Sequence, residues 1–124
     1  MELTPRSNVD LNFESSEVNK GKYLVLDTET TGLLSKQALE SEDPKNLPRI
    51  IQVAWLLFDA EGRLISSHNR YILQEMPIPT SSTQIHGIDD SSVHQKGEKP
   101  SIVWNDFIKD LENCEYLIAH NIDF

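Results

Sequence analysis

The chain has 124 residues, a formal net charge of −9, 38% hydrophobic residues and a single cysteine, Cys114. That length fits one domain with a core of its own. The acidic balance excludes a protein that coats nucleic acid by bulk positive charge, and one cysteine excludes an internal disulfide and a cysteine-rich metal site.

Nucleic-acid chemistry in which divalent ions stand between protein carboxylates and phosphates remains open. No apolar run reaches the roughly 18 residues of a membrane span. The N-terminus shows no basic-then-apolar leader pattern, so an intracellular, cytoplasmic protein is expected.

Residues 1–21 are polar and aperiodic and read as an arm, although the alternation of Val9, Leu11 and Phe13 also suits a short edge strand. Residues 23–26 are a short apolar run of strand formers, ending at Asp27 before the turn-prone Thr31-Gly32. Residues 34–48, charged and carrying Pro44 and Pro48, read as a loop with one helical turn over Lys36–Glu40. Ile50–Phe58 and residues 64–73 flank Asp59-Ala60-Glu61-Gly62 and predict a β-hairpin.

Pro77 and Pro79 interrupt the chain before a short helix over 81–86, stopped by Gly87. Asp89 or Asp90 caps a second short helix over 91–95. Pro100 opens a longer helix, closed by Asn113, whose stripe of Val103, Phe107, Ile108 and Leu111 predicts a core face. Tyr116–Ala119 is a final apolar strand leading into His120-Asn121. Cys114 and Trp55 read as core, and His68 and His94 as surface residues. The four histidines form no zinc pattern with Cys114. Strand, hairpin, helices and strand in that order predict an α/β fold, a mixed sheet covered by helices.

Asp27 and Glu29 are two residues apart, so in an extended strand their carboxylates share a face. Two such groups repel each other and lose hydration when crowded. A divalent cation relieves both costs, and oxygen ligands suit Mg2+ or Mn2+. The competing reading is a solvated acidic turn at a strand end; the buried strand before the pair and the Thr-Thr-Gly turn after it favour the metal site.

The run Leu26-Asp27-Thr28-Glu29-Thr30-Thr31-Gly32-Leu33 resembles the first motif of the DEDD (DnaQ-like) 3′→5′ exonuclease superfamily, in particular the branch holding the proofreading epsilon subunit of bacterial DNA polymerase III. Arg49-Ile50-Ile51-Gln52-Val53-Ala54 is similar to the family's second strand. Ile85-His86-Gly87-Ile88 is similar to its nucleotide-contacting segment, and Ala119-His120-Asn121-Ile122-Asp123-Phe124 to the start of its second motif. The resemblance covers roughly 23–124 and makes 22–124 the front part of an exonuclease domain.

The resemblance implies a ribonuclease H-like fold, truncated after the fourth core strand. It implies hydrolysis of the terminal phosphodiester at a single-stranded DNA or RNA 3′ end, with two Mg2+ or Mn2+ ions in the complete site. Asp27 would bridge the ions. Glu29 would hold one and help place the attacking water. Thr30, Thr31, Gly32 and Leu33 would line the terminal-nucleotide pocket, with Leu33 wedged against a base, and His86 would contact the same nucleotide. Association with a polymerase is possible for such a protein, but nothing in this chain encodes it.

One departure from the family pattern bears on activity. After His120-Asn121 the family places two variable residues, Phe and then the metal-binding aspartate; Asp123 falls on a variable position and Phe124 ends the chain. The third motif, with its general base and last aspartate, is absent. The chain by itself is therefore expected to be inactive or nearly so, while its parent is expected to be an exonuclease. Strand Tyr116–Ala119 would lack an outer neighbour, so self-association through an uncovered edge is expected.

Two other functions fit parts of the pattern. A non-catalytic module could bind a nucleic-acid end or a protein without cutting. A haloacid dehalogenase-type phosphatase also places two acids after a first apolar strand, with Asp27 as nucleophile, but that fold wants a helix and a parallel strand where this chain has a hairpin.

Overall fold

The computed structural model describes residues 2–5 and 17–120. Its centre is a five-stranded mixed sheet in the order β1-β5-β2-β3-β4. The strands are β1 (Glu2–Pro5), β2 (Tyr23–Thr30), β3 (Ile50–Phe58), β4 (Leu64–Tyr71) and β5 (Tyr116–Ala119). Four α-helices accompany them: α1 (Lys36–Glu40), α2 (Thr80–His86), α3 (Asp90–Lys96) and α4 (Pro100–Glu112).

The hairpin β3–β4 forms as its turn chemistry demands. The Asp59 carboxylate accepts from the backbone N–H groups of Glu61 and Arg63, and Gly62 supplies the positive φ of 83° that closes the turn. β3 runs antiparallel to β2, with Leu26 opposite Trp55 and Asp27 opposite Ala54. β5 returns parallel to β2, with Leu26 opposite Ala119. This parallel return crosses the sheet through α4, the connection that parallel neighbours require.

Alternation decides the core. Leu24, Val53, Trp55 and Leu57 are buried on the face that meets Val103 and Cys114, with Phe107, Trp104 and Leu111 packed against them. A second cluster joins Ile51 to Ile78, Ile88 and Val93, so α3 and the segments flanking α2 rest on the start of β3. Losing a fully buried side chain such as Leu24 to alanine costs about 2–5 kcal/mol. α4 starts with Pro100 at its first turn and ends at Asn113.

Several expectations from the sequence hold and several are corrected. The helical turn Lys36–Glu40, the hairpin, the Asp89 cap and strand Tyr116–Ala119 all form. Trp55 and Cys114 are core. Ile108 is not: it is 46% exposed, and Trp104 takes its place against the sheet because the buried arc of α4 runs through 103, 104, 107 and 111. His68 is not a simple surface residue, since its ring stacks on Trp55 with centroids 4.4 Å apart. The polar arm of 1–21 contributes a strand and a short 3-10 turn, Glu17–Asn19. β1 pairs antiparallel with β5, from Glu2 opposite Ala119 to Pro5 opposite Tyr116. The edge of β5 expected to be open is thus occupied, and the stated ground for self-association falls. Val9, Leu11 and Phe13 lie outside the described residues.

The antiparallel pairing of β2 with β3 also removes the phosphatase alternative, which needs a helix and a parallel strand after β2. No helix among the described residues is long and apolar enough to cross a membrane.

Candidate active site

The carboxyl end of β2 emerges from the sheet with its acids uncovered. Asp27 is exposed and Glu29 half-buried. The pairing with β3 shifts register between Glu29 and Thr30, so Gln52 faces Glu29 while Ile50 faces Thr30. Such a bulge strengthens the local twist and re-aims the side chains beyond it. Among the described residues neither Asp27 nor Glu29 meets a lysine or arginine at ion-pair distance; Asp27 Oδ1 accepts only from the N–H of Thr28, at 3.0 Å.

These acids form the floor of a cleft of about 270 Å³, lined by Asp27, Thr28, Glu29, Thr30, Gly32, Leu33, Ser82, Ile85, His86 and His120. That is near the lower end of the range for small-ligand pockets, roughly 300 Å³ upward. Of the residues singled out in the sequence, six meet here: Asp27, Glu29, Thr30, Gly32, Leu33 and His86. Gly32 has open space where a Cβ would stand, so a ligand can approach its backbone. Leu33 is 89% exposed at the rim.

Thr31 is the exception. Its hydroxyl oxygen accepts from the N–H of Arg49 at 2.9 Å, and its own N–H donates to the Arg49 carbonyl at 2.9 Å. It faces the start of β3 and fastens the loop instead of lining the cleft. Asp123 lies outside the described residues.

Ile85, which the sequence marks only as part of the segment Ile85-His86-Gly87-Ile88, and Ser82, which it does not mark, also line the cleft. Ile85 is 86% exposed and stands on the cleft wall formed by α2. Its position next to His86 was the available signal. Ser82 is buried, and its hydroxyl donates to the Thr31 carbonyl at 2.5 Å; nothing local in a Thr-Ser-Ser-Thr run marks it out.

The donor set fits a divalent ion in part. Two uncompensated carboxylates on one strand supply hard oxygen ligands of the kind Mg2+ and Mn2+ prefer. No group of three or more His, Cys, Asp or Glu that could cage an ion occurs among the described residues. A second cleft of about 400 Å³ touches Asp27 from another side, but its wall is mainly aliphatic, with Leu34, Leu39, Leu47, Ile50 and Leu117. Of the two clefts, the smaller one is lined by both Asp27 and Glu29.

Comparison with known proteins gives this arrangement a family. The model of the RNase_T exonuclease family matches residues 24–124. The 3′-5′ exonuclease DinG of Bacillus subtilis (strain 168) is 30% identical over 107 residues, 86% of this chain and 10% of that protein. A DNA polymerase III PolC-type protein of Streptococcus thermophilus (strain ATCC BAA-491 / LMD-9) is 28% identical over 113 residues, 91% of this chain and 7% of that protein. The chain thus spans a tenth or less of the length of these curated relatives. E. coli exonuclease I, solved in complex with a dT13 oligonucleotide, superposes with a TM-score of 0.53 at 23% identity over 74% of this chain and 18% of that chain. An SSB/exonuclease I structure with the inhibitor CFAM superposes with a TM-score of 0.57 at 22% identity, over 82% of this chain and 21% of that chain. The chain belongs to the RNase_T exonuclease family, among the DEDD-type 3′→5′ exonucleases, and has their ribonuclease H-like fold.

Proposed function

We propose that this chain is the part of a 3′→5′ exonuclease domain that grips the terminal nucleotide of a single-stranded 3′ end and supplies half of its metal-binding carboxylates. The observation that carries the reading is the lining of the cleft: two carboxylates, the exposed aliphatic side chains Leu33 and Ile85, and, among the described residues, no lysine or arginine. A phosphate entering such a site is repelled unless cations precede it, and the net charge of −9 adds to the repulsion.

When bound, Mg2+ or Mn2+ would polarise the scissile phosphate, generate the nucleophilic water and stabilise the leaving oxygen. Asp27 and Glu29 would hold the ions. Leu33 and Ile85 would take the terminal base between them. The backbone at Gly32 would lie against the nucleotide where no Cβ intervenes, and Thr30 would line the same pocket. His86 would border the nucleotide from α2.

Hydrolysis needs further carboxylates, and among the described residues Asp27 and Glu29 are the only acids that line the cleft. The chain by itself would therefore bind Mn2+ and a 3′-terminal nucleotide and cleave slowly or not at all. That observation also favours a second reading, a module that holds a nucleic-acid end without cutting it. DNA and RNA substrates both fit the reading, and a polymerase context is suggested only by the PolC-type relative.

The test is a 5′-labelled single strand incubated with Mn2+ and residues 1–124, or a longer polypeptide containing them. Stepwise shortening from the 3′ end by the longer chain, lost in Asp27→Ala, is the expected result. Mn2+-dependent binding without shortening by every form supports the binding module. Absence of Mn2+-dependent binding by any form sinks both readings.

A further inference from the structure

We propose that Ser82 and His86 are positioning residues: from one face of α2 they clamp the consecutive backbone carbonyls of Thr31 and Thr30 and so set the geometry of the 30–33 loop over the carboxylates. The proposal rests on reading the cleft as a nucleotide site.

The register shift between Glu29 and Thr30 takes the end of β2 out of the regular ladder. Backbone carbonyls that leave a sheet must find other donors. Here they find side chains. The Ser82 hydroxyl donates to the Thr31 carbonyl at 2.5 Å, and His86 Nε2 lies 3.2 Å from the Thr30 carbonyl. Ser82 and His86 are four residues apart, so α2 presents both on the same face. Ser82 is only 6% exposed, and its hydroxyl hydrogen is spent on the Thr31 carbonyl of the loop.

The other ring nitrogen of His86 decides its proton. The N–H of Ile88 donates to His86 Nδ1 at 3.1 Å. Nδ1 must then be bare, so the hydrogen sits on Nε2 and points at the Thr30 carbonyl. Gly87, with φ of 76° at the end of α2, turns the chain so that Ile88 can make this bond. Both ring nitrogens are therefore committed to protein backbone. His86 can offer a bound nucleotide its ring surface but no hydrogen bond while the clamp is closed.

Arg49 completes a ring of contacts. Its backbone pairs with Thr31, while its guanidinium donates to the carbonyls of Met76 and Pro77, just before α2. Loop, start of β3 and α2 are thereby joined at three points. The loop ends at Leu33, and Ile85, which lines the same cleft, lies on the helix that carries the clamp. A clamp that slips changes the width of the slot between them.

The experiment compares Ser82→Ala, His86→Ala and His86→Gln with the wild type. Glutamine keeps an N–H where Nε2–H stood. Binding of thymidine 5′-monophosphate in the presence of Mn2+ is measured by calorimetry, and Mn2+ alone by electron paramagnetic resonance. Ser82→Ala and His86→Ala are each expected to weaken nucleotide binding by about tenfold, as the loss of one carbonyl hydrogen bond would, with Mn2+ affinity unchanged. His86→Gln is expected to recover most of the loss. Equal nucleotide affinity in Ser82→Ala and wild type overturns the clamp; so does a loss of Mn2+ affinity that tracks the loss of nucleotide, which would mark general unfolding. If the wild type binds no nucleotide, the reading of the cleft fails, and hydrogen exchange at the Thr31 amide decides the clamp separately. That amide, bonded to the Arg49 carbonyl, should exchange faster in both alanine variants and not in His86→Gln. Unchanged exchange in all three overturns the proposal.

Discussion

The carboxylate of Asp110 on α4 accepts a hydrogen bond from the indole N–H of Trp55 on β3, at 2.8 Å. The same oxygen accepts from the hydroxyl of Ser66 at 2.7 Å and lies 3.5 Å from His68 Nε2. Trp55 sits opposite Leu26, the residue before Asp27. One half-buried polar knot therefore fastens α4 to β3 and to the edge strand β4, with Trp55 paired to the strand that carries Asp27. Asp110→Ala would leave the indole N–H and the Ser66 hydroxyl without their acceptor in a half-buried site, at a cost of about 1–3 kcal/mol. Urea unfolding should show a lower midpoint with an unchanged slope. An unchanged midpoint would mean that water replaces the carboxylate fully.

Asp27 and Glu29 make the apo chain work against itself, because like charges share a strand end without a cation. Asp27→Asn removes one charge. Without divalent ions it should leave stability equal to the wild type or slightly higher. Mn2+ should raise the melting temperature of the wild type, by the equivalent of about 2.7 kcal/mol at a hundred times the dissociation constant. The same Mn2+ should leave Asp27→Asn close to its metal-free value, and a chelator should reverse the wild-type shift. Equal Mn2+ stabilisation of both proteins would place the ion elsewhere.

The rim residues separate binding from folding. Leu33 and Ile85 are 89% and 86% exposed, so alanine at either should change stability by no more than about 0.5 kcal/mol. Each should weaken capture of a single-stranded 3′ end by at most about 1.5–3 kcal/mol, the value of fully burying an aliphatic side chain of this size. Because no lysine or arginine among the described residues lines the cleft, Mn2+-dependent binding should fall only weakly with added KCl, unlike a basic phosphate grip. A steep salt dependence would count against this cleft as the binding site.

Arg70 on β4 joins the sheet to α4 through Glu98 and Asp106. Its guanidinium donates to both carboxylates, at 2.7 Å to Glu98 Oε1 and 3.0 Å to Asp106 Oδ2. Hydrogen bonding by Arg70 holds the Glu98 carboxyl below its ordinary value of 4.5, partly offset by burial and by the nearby Asp106 charge. A depressed carboxylate stabilises the fold above its unfolded pKa and loses that contribution as pH falls through the folded one. The stability gap between wild type and Glu98→Gln should therefore be present at pH 7 and shrink once the pH drops below 4.5. Its size is limited to about 1 kcal/mol by solvent at the half-exposed Glu98. Thermal melts from pH 7 to pH 3 would show it, and a gap that widens on acidification would contradict it.

Much of this protein was legible in its residues. The apolar run before Asp27, the turn chemistry of Asp59 to Gly62, the Asp89 cap and Pro100 at the head of α4 are local signals, and each produced its element. The motif from Asp27 to Leu33 pointed to the family for the same reason, since its pattern lies within one strand and one turn. Tertiary structure decided what depends on partners distant in the chain. Thr31 turned to Arg49 because the two segments meet across β2 and β3. His68 left the surface because Trp55 and Asp110 lie beside it. Ile108 stayed in solvent because α4 rests on an arc that helical spacing alone leaves a residue wide. The edge of β5 found its partner at Glu2–Pro5, more than a hundred residues away, in a segment with no strand pattern of its own. Periodicity reports which face of an element is apolar; only the packed structure determines what that face, and each polar group beside it, will meet.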